Sequence, residues 1–516
     1  MLLPPFRSAR FDFLVRAAVA SLSGAALALL VSPYNLAFLH WIVYLPMLAV
    51  LEPDRPRRNV FFGVLFGIFS VGTIFRWVVD TIALFSNIPL PGAIGVLFVF
   101  ALAFGGPPHA LFWPFIHPLR KRLGLGWVLA APALLVLIEY VSMFVLLFPY
   151  NQGVSQYRTP VVFQLVSVTG IWGVSFLLFG FNAVLAEALF RRKEGRPWPV
   201  PALSGAGIAV ACVVLFGVWR HGDIQARLAT APVTKIAQLQ SPMPMMDRLM
   251  TRPRATLQEW VDRTRAVPPG SVDFVIWPEG AALYSLDEPR VAEIFSQLAR
   301  EGRFEMIVGS GARANIPGTD GKSTGMKAFN SIYHVGIDGK VHGRYDKMVP
   351  LPFGEYLPLK DTAPWLFGWI KGPGDFQAGD HPVTFETAQG RVMSPICYEA
   401  ILSYVCRSWE DPDLILTVTQ DAWFGETAAP HQHAMLAAIR AVELGIPMYR
   451  AAYTGASLVV NPDGTFHDET VPFTEVDRIV GVQRVKVWTP YAAFGDWFVA
   501  VCAIGLAGAL IAARRR

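Results

Sequence analysis

One cysteine lies where a nucleophile could act. Cys397 follows an apolar, strand-like stretch and precedes a segment with helical character. A thiol at such a turn is exposed and lies near the N-terminus of a helix, which favours the thiolate. The structural alternatives are a small buried residue or a disulfide with Cys406, which lies nine residues further on.

Two charged residues follow other predicted strands. Glu279 ends the run Trp-Pro-Glu after an apolar strand, and Lys347 ends the run Tyr-Asp-Lys after another. Residues at the ends of neighbouring strands can converge at one edge of a sheet. A carboxylate there could accept the thiol proton, and an ammonium could lower the thiol pKa and stabilise an oxyanion. Taken singly, Glu279 could cap a helix and Lys347 could be a surface charge.

The polar region around these residues predicts an α/β sandwich, because short β-branched strands alternate with helices and hairpin turns. The predicted strands are 234–237, 274–277, 306–309, 331–335, 414–418 and 457–460, the predicted helices are 254–266, 289–301 and 431–445, and Asp338-Gly339 and Asp463-Gly464 are hairpin turns. His431 and His433 are two residues apart, a spacing that does not share a helix face, so they indicate a helix start after Pro430 rather than a metal site.

The composition indicates that much of the chain lies in a bilayer. Hydrophobic residues make up 53% and charged residues 16% of the 516 residues, and the mean hydropathy is +0.40. A soluble protein of this length carries more charge, and more than one domain is expected. Eight apolar segments approach the roughly 20 residues that a membrane-spanning helix needs. They lie at 13–32, 36–52, 59–79, 92–115, 127–148, 162–190, 202–219 and 494–512.

Basic residues cluster in alternate loops and at both ends of the chain. Because Lys and Arg accumulate in cytoplasmic loops, this pattern predicts cytoplasmic termini. We therefore expect a membrane domain with seven helices at 1–220, a catalytic domain outside the cytoplasm at 221–490, and a last helix with a basic tail at 491–516. Within the apolar runs, Arg76 is expected to reach the outer interface, and Glu139 either makes a structural hydrogen bond or contacts substrate.

Several short motifs of the chain occur together in one known family. They are Trp277-Pro278-Glu279, Tyr345-Asp346-Lys347, Pro352-Phe353-Gly354-Glu355-Tyr356, Cys397-Tyr398-Glu399 and Asp421-Ala422-Trp423-Phe424-Gly425. These motifs resemble the nitrilase (carbon–nitrogen hydrolase) superfamily, and with the surrounding apolar helices nearly the whole chain resembles the apolipoprotein N-acyltransferases. The resemblance implies an αββα sandwich inserted before the last membrane helix.

The resemblance also implies roles for particular residues. Glu279 would be the base, Lys347 the amine that stabilises the oxyanion, and Cys397 the nucleophile. The residues implied to support them or to bind substrate are Glu355, Tyr398, Glu399 and Trp423.

The reaction implied by the resemblance is an acyl transfer in two halves. The thiolate attacks the sn-1 ester of a phospholipid, typically phosphatidylethanolamine, and the resulting thioester passes its acyl group to the α-amine of an S-diacylglyceryl cysteine. The implied partners are the phospholipid donor, a diacylated apolipoprotein and the bacterial inner membrane, with the catalytic domain on the periplasmic side. No cofactor, metal or nucleic acid is expected.

Two other functions remain open at this stage. The same three residues would serve a membrane-tethered amidase or hydrolase with water as the acceptor, and an inactive scaffold or transporter is the third alternative. Met348, Gln420 and Tyr453 depart from the family pattern, which leaves the donor or acceptor preference open. The apolar stretch 364–370 suggests burial in lipid, or over a lipid-filled pocket, or an ordinary loop packed on the core.

Overall fold

The computed structural model describes residues 8–86, 88–145, 147–242, 253–317, 323–358, 362 and 375–514. The stretch 364–370 lies outside these residues. The chain divides into two compact units. The first comprises Met1–Asp80, Ile88–Gly222 and Thr489–Arg516, and the second comprises Thr81–Asn87 and Asp223–Trp488.

The apolar part of the chain is helical. Its α-helices are Ala9–Ala25, Leu45–Val50, Pro56–Ile74, Val78–Phe85, Leu90–Phe112, Ile116–Leu123, Trp127–Val145, Pro160–Phe163, Val166–Thr169, Ile171–Lys193, Val200–Leu228, Pro490–Phe494 and Trp497–Arg514. Short 3-10 helices lie at Ala26–Leu30, Ala37–Trp41, Trp113–Phe115, Gly124–Gly126 and Gln152–Gln156.

In the described residues, five helical stretches are long and apolar enough to cross a membrane, and a pair bent by 54° would make a sixth. The five are Ala9–Leu30, Leu90–Val145, Ile171–Lys193, Val200–Leu228 and Trp497–Arg514, and the bent pair is Pro56–Ile74 with Val78–Leu84. The stretch Leu90–Val145 has 56 residues and contains two separate long helices, each close to the length of one crossing.

Besides segment 59–79, which contains the 54° bend, two predicted segments are not continuous helices. Segment 36–52 consists of a 3-10 turn and the short helix Leu45–Val50, and Pro46 lies in the first turn of that helix, where its missing N–H breaks no hydrogen bond. Segment 162–190 is broken at Gly170. This glycine has a φ of 66°, in the left-handed region, and it ends one short helix just before Ile171–Lys193 begins.

The two ionisable residues in the apolar runs have different surroundings. Arg76 is exposed in the turn at the 54° bend. Glu139 is buried in Trp127–Val145, and its Oε1 accepts a 2.9 Å hydrogen bond from the backbone N–H of Gln152. This contact favours the structural alternative for Glu139.

The second unit contains two six-stranded sheets among its described residues. The strands are β1 (Val233–Gln240), β2 (Phe274–Ala282), β3 (Glu305–Pro317), β4 (Ser323–Val335), β5 (Val341–Asp346), β6 (Phe385–Thr387), β7 (Gly390–Met393), β8 (Leu414–Thr419), β9 (Met448–Ala452), β10 (Leu458–Val460), β11 (Phe466–His467) and β12 (Val476–Gln483). The first sheet has the order β12-β1-β2-β3-β4-β5, and the second has the order β11-β10-β9-β8-β7-β6.

Each sheet contains a set of three parallel strands. β1, β2 and β3 are parallel in the first sheet, and β7, β8 and β9 are parallel in the second. The two sheets pack face to face, with β2 against β8 and β9. The carboxyl ends of parallel strands are where α/β proteins place their sites.

Helices cover the outer faces of both sheets. Pro253–Arg265 and Pro289–Gly302 pack on the first sheet, and Ala429–Leu444 packs on β9 of the second. Trp277 of β2 anchors the first layer, because its ring lies 5.4 Å from that of Trp260 and 4.8 Å from that of Phe295. The αββα sandwich is therefore the architecture of this unit, and the predicted strands, helices and hairpin turns all occur in it. The helices agree within two residues, whereas β1, β2, β3 and β4 are longer than predicted.

Candidate active site

Glu279 lies in a bulge at the carboxyl end of β2. The pairing of β2 with β3 is regular up to Trp277 and resumes only at Ala282. Gly309 of β3 gives the bulge room, because a β-carbon at this position would lie 2.7 Å from the Cα atom of Glu279. The bulge turns Glu279 out of the ladder, and its side chain is almost fully buried.

Glu279 and Lys347 belong to one enclosed polar cluster. The Nζ atom of Lys347 lies 2.7 Å from Glu355 Oε2 and 3.7 Å from Glu279 Oε1. The side-chain amide of Asn330 donates hydrogen bonds of 2.6 Å to both carboxylates. The backbone N–H of Gln420 donates to the other oxygen of Glu279 at 2.7 Å. One ammonium is thus held between two carboxylates whose positions are set by further donors.

Cys397 lies at the turn that the sequence predicts. β7 ends at Met393, and a 3-10 helix, Cys397–Ile401, begins at the cysteine. The φ of Cys397 is 51°, a left-handed conformation that costs a residue with a β-carbon roughly 1–2 kcal/mol. Such a conformation persists where the surroundings hold it in place. All four cysteines lie in the described residues and are free, so the alternative of a disulfide with Cys406 is wrong.

Glu399 ties this turn to the loop that follows β5. Its Oε2 accepts a 2.9 Å hydrogen bond from the backbone N–H of Ile396. Its Oε1 accepts from the hydroxyl of Tyr345 at 2.9 Å and from the backbone N–H groups of Met348 and Val349 at 2.7 and 3.0 Å. Burial raises the pKa of Glu399 to about 7, although the nearby ammonium and these donors act in the opposite direction.

Burial dominates the electrostatics of the thiol. It raises the pKa of Cys397 well above the ordinary value, and Glu279 raises it further while Lys347 lowers it. The pKa of Glu279 is raised by burial and by Glu355, against the effect of Lys347. Burial alone would lower the pKa of Lys347, but the two carboxylates raise it above its usual range. The resting site therefore holds a neutral thiol beside a charged ammonium. Lys347 lowers the thiol pKa as expected, but burial outweighs this effect, and the expectation of an exposed thiol is wrong.

The other two predicted residues, Tyr398 and Trp423, lie on two different 3-10 helices. Tyr398 follows the cysteine and is buried, whereas Trp423 is 36% exposed on the 3-10 helix Asp421–Phe424. The turn that contains Ile396 and Cys397 is called the cysteine turn below. The structure brings Glu279, Lys347, Glu355 and Glu399 together around it.

Sequence reasoning missed Asn330 and gave His433 only the role of a helix start. Asn330 lies one residue before the predicted strand 331–335, and an isolated amide there carries no signal of its own. His433 does lie in the first turns of the helix that begins at Ala429, but its ring also contacts the cysteine turn and Asp421.

Comparison with known proteins identifies the family of the chain. The family profile of the apolipoprotein N-acyltransferase N-terminal domain matches residues 23–184, and that of carbon-nitrogen hydrolases matches residues 235–487. An apolipoprotein N-acyltransferase from Methylococcus capsulatus is 30% identical over 503 residues, which cover 94% of this chain and 92% of that protein. The chain belongs to the apolipoprotein N-acyltransferase family.

Two further similar proteins are a full-length relative and a distant solved structure. The apolipoprotein N-acyltransferase from Geobacter metallireducens is 29% identical over 517 residues, which cover 98% of this chain and 96% of that protein. An amidase structure from Nesterenkonia sp. covers 52% of this chain and 95% of its own, at 16% identity and a TM-score of 0.38, a likeness too distant to carry an argument. Membership of the apolipoprotein N-acyltransferase family accounts for both the αββα sandwich and the apolar helices.

Proposed function

We propose that the chain transfers an acyl group from a phospholipid, through a thioester on Cys397, to the α-amine of the diacylglyceryl cysteine of a lipoprotein. One observation carries the proposal. The strained cysteine turn lies beside the enclosed cluster that contains Glu279 and Lys347, in the hydrolase-like unit of a chain that belongs to this family. These groups supply the nucleophile, the base and the oxyanion stabiliser that acyl transfer needs.

In the first half-reaction, Glu279 accepts the thiol proton while the sulfur of Cys397 attacks the ester carbonyl carbon. The proton leaves as the carbon–sulfur bond forms, because burial keeps the resting thiol neutral. The ammonium of Lys347 stabilises the oxyanion of the tetrahedral intermediate. The intermediate then expels the alcohol of the lysophospholipid, which takes the proton from Glu279, and the thioester remains.

In the second half-reaction, the lipoprotein α-amine attacks the thioester carbonyl carbon. Glu279 accepts a proton from the amine, and Lys347 again stabilises the oxyanion. The carbon–sulfur bond breaks, the sulfur recovers a proton from Glu279, and the acyl chain leaves as an amide. Splitting one acyl transfer into two steps at a thiol lowers the barrier of each.

The neighbouring residues have supporting roles in this proposal. Glu355 holds the ammonium of Lys347 at 2.7 Å, and Glu399 holds the turn that presents the thiol. Tyr398 lies in the 3-10 helix Cys397–Ile401 and Trp423 in the 3-10 helix Asp421–Phe424, and we assign both to the walls of the substrate pocket.

The donor, the topology and the domain limits belong to the same proposal. Phosphatidylethanolamine is the proposed donor, and the chain crosses the bacterial inner membrane eight times with both termini in the cytoplasm. The proposed limits are 1–220 for seven membrane helices, 221–490 for the periplasmic catalytic domain and 491–516 for the last helix and basic tail. The alternation of basic loops supports this arrangement.

The test is acylation of the purified protein by labelled phosphatidylethanolamine. We expect a hydroxylamine-sensitive acyl adduct that Cys397→Ala abolishes. Cys406→Ala is the matched control, because Cys406 is also buried and free, and it should keep the adduct. No adduct, or an adduct that survives Cys397→Ala, would refute the thioester.

The acceptor separates the proposal from the hydrolase alternative. Addition of a diacylated lipopeptide should move the label from the protein to the peptide amine. Release of the label as free fatty acid, at the same rate with and without the lipopeptide, would instead identify a hydrolase.

A further inference from the structure

The ring of His433 contacts the backbone of the cysteine turn. Its Nε2 atom lies 3.2 Å from the carbonyl oxygen of Cys397. A carbonyl oxygen only accepts hydrogen bonds, so the proton of this contact lies on Nε2. The other ring nitrogen, Nδ1, lies 2.8 Å from Asp421 Oδ1. The ring therefore bridges the cysteine turn and a buried carboxylate.

The carboxylate that anchors the ring is itself firmly held. Arg450 donates to both oxygens of Asp421, at 2.9 and 3.2 Å, and to the carbonyl oxygen of Ala456 at 2.9 Å. Both side chains of this ion pair are fully buried. A β-carbon at Gly455 would overlap the carboxylate of Asp421, so the backbone closes over it directly. The anchor has little freedom to move.

The charge state of the anchor fits this arrangement. Burial alone would raise the pKa of Asp421, but Arg450 and His433 lower it to about 2. The carboxylate is thus ionised at any pH at which the enzyme works. Nδ1 donates to Asp421 when it carries a proton, and when it does not it can accept from Arg450 Nη2, which lies 3.0 Å away.

The cysteine turn needs support on both sides. Cys397 has a φ of 51°, which is costly for a residue with a β-carbon. The carboxylate of Glu399 binds the N–H of Ile396 before the cysteine, and His433 binds the carbonyl after it. Loss of either contact would allow the turn to relax and the sulfur to move.

We propose that His433 is a positioning residue for the nucleophile. Its Nε2–H holds the carbonyl of Cys397 and so aims the sulfur at the acyl carbonyl, while Asp421 and Arg450 hold the ring. This role rests on the proposed function of Cys397. A misplacement of about 1 Å in an active site can cost on the order of 10²-fold in rate.

Two variants separate positioning from general stability. The amide nitrogen of His433→Gln reaches about as far as Nε2 and can still donate to the carbonyl of Cys397. The shorter amide of His433→Asn reaches only about as far as Nδ1, so it keeps the contact with Asp421 and loses the one with Cys397. The matched control is His431→Gln, because His431 lies two residues earlier in the same helix and is much more exposed, with its Nδ1 3.8 Å from Glu469.

The measurement is the single-turnover acylation rate with labelled phosphatidylethanolamine, together with the apparent KM for this donor and the Tm of each variant. We expect His433→Asn to lower the rate by about 10²-fold with KM changed less than about twofold, since the side chain acts through the nucleophile. His433→Gln should recover most of the rate, and His431→Gln should match the wild type.

Three outcomes would overturn the role. His433→Asn could acylate as fast as the wild type, the Asn and Gln variants could lose rate equally, or the losses could follow Tm in both. These results leave the proposed function intact, because the wild type still forms the adduct. Absence of the adduct in the wild type would overturn the proposed function and this role together.

Discussion

The amide of Asn330 shows how the proposed base and oxyanion stabiliser share one set of contacts. It donates to Glu279 and to Glu355, the two carboxylates that flank Lys347. With a single cation between two carboxylates, the cluster carries one negative charge when all three groups are ionised. This charge and the burial of the cluster favour proton uptake by Glu279, which is what a general base requires.

The first prediction concerns the pH dependence of acylation. The base acts when ionised, so the rate should rise with pH through the pKa of Glu279, which burial and Glu355 hold above the 4.5 of an ordinary glutamate. Glu279→Gln should lower the single-turnover rate by about 10²–10⁴-fold and abolish this acid limb. The measurement is the acylation rate against pH.

Its control is Glu301→Gln, a change at an exposed glutamate of the same unit. This variant should keep both the rate and the limb. An acid limb that stays unchanged in Glu279→Gln would show that another group takes the proton.

At the scale of the elements, the site depends on how closely two strands approach. Gly309 of β3 packs against the backbone of the bulge in β2, and no side chain separates the two strands there. The bulge in turn sets the direction of Glu279, because it takes the residue out of the hydrogen-bonded ladder. The pairing of β2 with β3 thus controls the geometry of the proposed base.

The second prediction follows from this contact. Gly309→Ala would place a β-carbon 2.7 Å from the Cα atom of Glu279, so the bulge must shift. We expect a loss of about 10²-fold in the acylation rate, since a shift of about 1 Å in a catalytic group has this effect. Single-turnover acylation and Tm measure the two consequences.

Gly311→Ala provides the matched comparison. Gly311 lies two residues further along β3, on the same face, and its added β-carbon would meet only the carbonyl oxygen of Phe329 at 3.8 Å. This variant should stay within about twofold of the wild type in rate, because the contact is ordinary van der Waals contact. Equal losses in the two alanine variants would contradict the argument.

At the scale of the whole molecule, the long apolar helices require lipid. Only 6% of the apolar window of Val200–Leu228 and 11% of that of Trp497–Arg514 is buried within the protein. Leu215 and Ile504 on these helices are 70% and 74% exposed. Exposed apolar helices of this length are stable in a bilayer, where every backbone group is bonded within the helix.

The third prediction concerns the proposed topology. A fluorescent protein that folds only in the cytoplasm should be fluorescent when fused after the last residue, and alkaline phosphatase at the same position should be inactive. Fusion of the two reporters after Ala231, beyond the helix Val200–Leu228, should give the opposite result. Because basic loops orient the helices, these outcomes follow from the charge pattern. Phosphatase activity at the C-terminus would refute the proposed orientation.

The sequence by itself determined most of the elements and the family of the chain. Strands, helices and hairpin turns depend on periodicity and on local turn residues, and Cys397 follows β7 as its motif predicts. The motifs around Glu279 and Lys347 were sufficient to indicate the family, because each motif is a short run of adjacent residues. The break at Gly170 was missed, since the apolar pattern continues across it.

Tertiary structure alone decided the environment of these groups. The raised pKa of Cys397 comes mainly from burial, which no local sequence pattern reports. Asn330 and His433 are 51 and 36 residues away from the site residues that they contact, Glu279 and Cys397, and only folding brings them together. Burial and hydrogen-bond partners are properties of the packed chain, so the sequence could indicate the candidate groups but not the contacts that surround them.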